Sequence, residues 1–221
     1  MANSYVDKEF FQDLSDSELV WHFSSDPNTA MFALDMLKRH QAAAALQMQR
    51  IVQAINHASL KMPEEPSISD QLLVKRYFKT ARDLYQPIFI EMHFYFVSWV
   101  NCQNMVKVLG SFPEFIEANK YFNSVRKYFD DYAEARNTVE HYHDRLPAGK
   151  NASKVKETRK DPNAGPSRNY GGLEKGKYTF SDRSWDIGPE SLVLLNTIIE
   201  EFVSKIVHVV KEKRNELLKQ A

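Results

Sequence analysis

Residues 115–146, FIEANKYFNSVRKYFDDYAEARNTVEHYHDRL, decide the fold. Within them Phe115, Ala118, Phe122, Val125, Phe129, Tyr132, Arg136, Val139, His143 and Leu146 follow one another at steps of three or four residues. That spacing puts side chains on one face of an α-helix, whereas a strand would alternate every second residue. Pro113 suits the first turn of such a helix, and Pro147 cannot continue it. Arg136 and His143 are the two polar residues on a stripe that otherwise reads as interior.

The same periodicity extends in both directions. Ser15 and Glu18 have capping-box spacing, with Leu14 and Leu19 placed as a hydrophobic staple, so a short helix runs from Asp16 to about Phe23. Asp26 followed by Pro27 starts a second helix that meets no Gly or Pro before about Leu60. Met31, Leu34, Leu37, Ala44, Met48, Ile51, Ile55 and Ala58 mark its core face, and the run Ala42–Ala45 admits a close neighbour. Pro63 and Pro66 break the chain. A third long helix is expected from about Asp70 to Leu109, capped by Gly110 and kinked at Pro87. Between Ile88 and Val100 it is apolar on more than one face, which marks it as the most buried element and its aromatic residues as core. Gly188-Pro189-Glu190 opens the last helix, with the stripe Leu192, Leu195, Ile199, Phe202, Ile206 and Val209 and a charged end expected to fray.

Between Pro147 and Lys177, eight basic residues face three acidic ones, a local net charge of +5. Gly, Pro, Ser and Asn are frequent there, so the segment reads as a basic loop. Tyr178-Thr-Phe180 and Trp185-Asp-Ile187 alternate apolar and polar around Ser181–Ser184, the pattern of a small β-hairpin. The fold class is therefore all-α. It is an antiparallel bundle of four long helices plus a short N-terminal one, with a basic loop and small hairpin before the last helix. It reads as a single domain, residues 1–221, with 147–188 inserted.

Composition narrows the function classes. The chain has 221 residues, 43% of them hydrophobic, and 29 basic side chains balance 29 acidic ones. The molecule as a whole thus has no bulk field drawing it to nucleic acid, and any such affinity is local. The single cysteine, Cys102, excludes a disulfide framework and a Cys-based zinc site. No leader pattern and no long apolar run appear, so the expected location is the cytoplasm, without a membrane partner.

The densest polar cluster is Ala135-Arg136-Asn137-Thr138-Val139-Glu140-His141-Tyr142-His143-Asp144-Arg145. Its Arg136-Asn137-x-x-x-His141 pattern resembles the Arg-polar-x-x-x-His signature of the HEPN superfamily, helical bundles of which many are metal-independent ribonucleases. The resemblance covers the motif's eleven or so residues and, beyond them, only the bundle architecture. It implies an endoribonuclease, of a toxin or defence system, that needs no cofactor. In that superfamily two motifs meet across a homodimer in one cleft, and an antitoxin or other regulatory protein is a further implied partner. His141 would be the acid/base, Arg136 the electrostatic stabiliser, and Asn137 would orient the ring or hold a phosphate. Glu140, Tyr142, His143 and Asp144 would support them. Some prokaryotic members carry a modified Tyr two positions after the His; here that position is His143, and the Tyr is Tyr142.

The chemistry suits the residue types. Metal-free RNA cleavage needs a group that exchanges a proton near neutrality, and imidazole does so. It also needs a fixed cation against the charge growing on the phosphate oxygens, and guanidinium can bond two of them at once. On a straight helix Asn137 lies about 40° from His141, and Arg136 about 140° from it. A bent Arg side chain or a second subunit is then required to complete one cleft. Lys150, Lys154, Lys156, Arg159 and Lys160 of the basic loop are the candidate substrate-binding cations, with Tyr170 and Tyr178 as stacking partners.

Competing readings rest on the same residues. Arg136 and Glu140 are four apart and can form a structural ion pair, leaving a non-catalytic module that binds a nucleotide or a protein partner. Arg50 and His57 satisfy the broad form of the motif without any polar cluster around them. Glu140-x-x-His143 is the ligand pair of di-iron bundles, but the chain has no second copy, so no metal is expected. His93 reads as a satisfied core histidine, and Cys102 as buried and inert. No glycine-flanked nucleophilic Ser and no phosphate-binding Gly loop is present.

Overall fold

The computed structural model describes residues 8–67, 69–140, 157–158, 167–168, 172–174, 176–180 and 182–220. The helices are α1 (Lys8–Gln12), α2 (Asp16–Phe23), α3 (Pro27–Lys61), α4 (Gln71–Gly110), α5 (Ile116–Glu140) and α6 (Pro189–Gln220). A 3-10 turn, Pro113–Phe115, leads into α5. Among the described residues, two small antiparallel sheets fall between α5 and α6. β1 (Glu157–Thr158) pairs antiparallel with β2 (Ser167–Arg168), and β3 (Gly172–Glu174), β4 (Lys177–Phe180) and β5 (Arg183–Asp186) form an antiparallel sheet in that order. The protein is thus an α-helical bundle with a small sheet before its last helix. Among the described residues, no helix is long and apolar enough to cross a membrane.

The ends of the helices follow local chemistry. The Ser15 side chain accepts from the Glu18 N–H, and the Glu18 carboxylate accepts from the Ser15 N–H at 2.8 Å, a closed capping box. Asp26 accepts from the Thr29 N–H at 3.2 Å, and Asp70 from the Leu73 N–H at 3.0 Å. Both carboxylates satisfy first-turn donors that have no partner within the helix. The α4 helix is continuous through Pro87. The α6 helix keeps its charged end, reaching Gln220. Between β3 and β4, Gly176 has φ +75, a backbone conformation that a side chain would strain. The hairpin is tighter than the sequence suggests. Phe180 pairs with Arg183, so the turn is two residues long and Ser184 joins a strand. The α1 helix and strand β3 carry no periodic signal long enough to read from sequence.

Two compact units divide the chain: residues 1–41, 100–129 and 194–221, and residues 42–99 and 130–193. In the first, Leu34 and Leu37 of α3, Cys102 and Val106 of α4, and Phe202 and Ile206 of α6 are buried. Gln41 donates to Asn196 at 3.0 Å, and the Glu114 carboxylate accepts from the Ser25 backbone.

In the second, the core is Met48 and Ile51 of α3, a run on α4, Tyr132 and Ala135 of α5, and Tyr178, Phe180 and Trp185 of the sheet. The α4 run is Ile88, Met92, Tyr95, Phe96 and Trp99, all fully buried. The Trp99 and Tyr132 rings stack at 3.9 Å, and Tyr178 stacks on Trp185 at 5.7 Å. The Tyr132 hydroxyl donates to the Asp186 carbonyl at 2.8 Å, fastening α5 to the end of β5. Ser191 gives its proton to the Gly188 carbonyl at 2.7 Å, so the Tyr95 hydroxyl, 2.7 Å from Ser191, is the donor to it. One expectation fails here. The apolar residues of α4 are not all core, because a helix packs on a limited arc: Phe78, Ile90 and Phe94 are 62%, 47% and 49% exposed.

Candidate functional site

The site lies in the second unit, at the end of α5. Sequence periodicity assigns Arg136 to the interior of the bundle, and the structure corrects this. The buried stripe of α5 passes through Tyr132, Ala135 and Thr138, one residue to the side. Arg136 therefore stands at the rim, with its side chain 39% exposed. Ala135 and Thr138 are fully buried, and the longer, charged Arg136 beside them lies along the helix surface.

From that rim the guanidinium Nε of Arg136 meets a Glu140 carboxylate oxygen at 2.9 Å, the pairing expected for residues four apart. Nη1 lies 3.4 Å from the Asn137 side-chain oxygen, a long hydrogen bond. The other Glu140 oxygen faces Nε2 of His93, on α4, at 3.8 Å. Glu140 thus stands between a permanent cation and an imidazole from a different helix. His93 Nδ1 is buried and has no hydrogen-bond partner among the described residues. His93 is consequently not the satisfied core histidine its apolar neighbours suggest; it is a half-buried residue at the wall of a cleft.

That cleft has a volume of about 800 Å³. Its floor and walls come from α4, through Arg82, Tyr85, Gln86, Phe89, His93 and Phe94, and α5 closes one side with Val139 and Glu140. Positions 82, 86, 89 and 93 are three or four apart, so one face of α4 supplies both the polar and the aromatic lining. A second cleft, of about 550 Å³, shares Arg82, Tyr85 and Phe89 and is bounded by Phe78 and by Gly172 and Leu173 of β3.

Arg136, Asn137 and Glu140 are thus brought together, and His93, Arg82 and Tyr85 join the neighbourhood from α4. His141, Tyr142, His143 and Asp144 lie outside the described residues, as do Lys150, Lys154, Lys156, Arg159, Lys160 and Tyr170. Tyr178, proposed from sequence as a stacking partner for bases, is 4% exposed and spends its face on Trp185. The other Arg-to-His spacing behaves as a decoy: His57 is exposed on α3, and Arg50 lies 3.8 Å from Glu91. Among the described residues, no three His, Cys, Asp or Glu side chains are grouped to hold a metal ion.

Residues that sequence reading passed over lie on the N-terminal half of α4. Lys75, Arg76, Lys79 and Arg82 are all exposed, and none has an ion-pair partner among the described residues. The signal was available in the spacing of 75, 79, 82 and 86, which is one helical stripe. No protein-family model matches the chain, and no curated protein and no solved structure matches it.

Proposed function

We propose that this protein is a metal-independent endoribonuclease of HEPN type. Its motif Arg136-Asn137-x-x-x-His141 supplies the chemistry. The observation that supports this reading is the placement of Arg136: it is at the rim, held by Glu140 at 2.9 Å, beside an open cleft that Glu140 and His93 line.

In the proposed reaction the RNA 2′-oxygen bonds to phosphorus while the bond to the 5′-oxygen breaks. The 2′-hydroxyl proton passes to a base, and an acid delivers a proton to the leaving 5′-oxygen, giving a 2′,3′-cyclic phosphate and a 5′-hydroxyl. His141 takes one of these proton roles, and in a homodimer the second motif takes the other. Arg136 holds the phosphate oxygens as their charge grows, and Glu140 fixes the direction of the guanidinium. Asn137, exposed beside Arg136, contacts the phosphate or the ring of His141.

The test is incubation of the purified protein with bulk RNA in EDTA, alongside Arg136→Ala and His141→Ala. Cleavage by wild type and its loss in both variants is the expected result. Absence of cleavage across a broad set of RNAs overturns it. The Arg136–Glu140 pair itself favours one second reading, a binding module that does not cut, because a guanidinium neutralised by a carboxylate is a weaker electrophile. That reading predicts retained RNA or nucleotide binding with no products.

A further inference from the structure

The N-terminal half of α4 combines two features that nothing in the motif requires. The first is an exposed cationic stripe. Lys75, Lys79 and Arg82 lie on one face, at steps of four and three residues, without an ion-pair partner among the described residues. Exposed and without such a partner, these cations are hydrated and open to an anion such as a phosphate. The second is an aromatic row along the same helix. Tyr85 and Phe89 line both clefts, and Arg82 lines both with them.

The geometry points to a track for single-stranded RNA along α4, with phosphates on Lys75, Lys79 and Arg82 and bases against Tyr85 and Phe89. A rise of about 1.5 Å per residue puts side chains four apart roughly 6 Å along the axis. That is on the order of the spacing of successive phosphates in an extended strand, so one cation meets each phosphate. Every base has a flat face, so aromatic rings receive any of them, and cations along the backbone hold the strand without reading its sequence. A duplex keeps its bases stacked on one another and cannot offer them to Tyr85 and Phe89. The track leads to the cleft that Glu140 lines, so the strand enters where the proposed cleaving groups stand. The choice of RNA as occupant rests on the nuclease reading; the track itself does not.

The probe is a short, dye-labelled single-stranded oligonucleotide with 2′-O-methyl groups throughout, which binds but cannot be cut. Its anisotropy is measured with the full chain and with Lys79→Gln, Arg82→Gln and Tyr85→Leu. Arg39→Gln, an exposed cation paired with Asp35 on α3, is the control for loss of charge alone. All three α4 positions are at the surface or half-buried, and the Leu keeps apolar volume, so folding is checked simply by circular dichroism. Each α4 variant is expected to weaken binding about three- to tenfold, with a shallower salt dependence in the two charge variants only. Arg39→Gln and a 2′-O-methyl duplex competitor are expected to change little. Unchanged affinity in the α4 variants, an equal loss in Arg39→Gln, or equal competition by the duplex overturns the track. Two cross results separate the claims. Binding that depends on α4 without any cleavage of ordinary RNA overturns the nuclease and keeps the track. Cleavage with α4 variants at wild-type affinity does the reverse.

Discussion

Arg136 and Glu140 hold each other on the surface of α5, with Nε 2.9 Å from a carboxylate oxygen. Both side chains are partly exposed, so the pair contributes little to stability, on the order of 0–1 kcal/mol. On the proposed nuclease reading, its role is to aim the guanidinium. Glu140→Gln keeps the shape and removes the charge. RNA cleavage in EDTA is expected to fall about tenfold, the scale of roughly 1.4 kcal/mol of lost positioning, with thermal stability almost unchanged. Single-turnover rates and melting curves on the same preparations check this. Wild-type rates in Glu140→Gln would remove Glu140 from the site.

The Tyr132 hydroxyl reaches the Asp186 carbonyl at 2.8 Å while its ring stacks on Trp99 at 3.9 Å. Two substitutions separate these contributions. Tyr132→Phe loses the hydrogen bond and is expected to cost about 1 kcal/mol, somewhat more if the carbonyl stays dry. Tyr132→Ala also loses the stack and leaves a cavity, at a cost of about 3–5 kcal/mol. Urea unfolding read by tryptophan fluorescence distinguishes the two. Equal costs would mean the ring contributes nothing beyond its hydroxyl.

The bundle was legible because its signals are redundant. The stripe from Phe115 to Tyr132 has many members, and Ser15, Asp26 and Asp70 each mark a start that the structure uses. Register was harder. A stripe with a period near 3.6 can pass through 135 and 138 as readily as through 136 and 139, and side-chain size decides. Ala135 and Thr138 fit the interior and Arg136 does not, which moved Arg136 from core to rim. His93 was invisible for a different reason: its contact with Glu140 joins residues 47 positions apart on separate helices, at 3.8 Å. No local pattern reports such a meeting. The exposed Phe94 and Ile90 misled in the opposite direction, since apolar character signals burial only when a neighbour covers that face.

Ser15 and Glu18 close a capping box at the start of α2, with the Ser15 N–H 2.8 Å from the carboxylate. The hydrogen bond to Ser15 holds the Glu18 carboxyl below its ordinary value of 4.5. Ser15→Ala removes the cap acceptor and is expected to cost about 1 kcal/mol, while Ser15→Thr, which keeps a hydroxyl that accepts from the Glu18 N–H and donates to its carboxylate, restores most of it. Denaturant midpoints of the three proteins test this, and an unshifted Ser15→Ala midpoint would show that α2 is held by packing alone.

Alkaline pH probes two buried acids at once. Burial pushes the Cys102 thiol from its ordinary 9.0 up to about 12. The Tyr132 phenol is also raised from 10.0, by burial first and by the neighbouring Tyr95 second. For both groups the folded value exceeds the unfolded one, so the folded protein holds its proton where the unfolded chain has lost it. Stability is whole below the unfolded values and falls as pH climbs past them. The slope is about 1.4 kcal/mol per pH unit for each group while it remains protonated only in the folded state. The thiol term begins near 9.0 and the phenol term near 10.0. Cys102→Ala lacks the first term but starts from lower stability, because it empties a fully buried position. Plotted against pH, the stabilities of wild type and Cys102→Ala are therefore expected to run parallel below 9.0 and to converge above it. Native Cys102 should also resist thiol reagents until the chain unfolds. Curves that stay parallel throughout the alkaline range would mean that the thiol ionises as easily inside the protein as outside it.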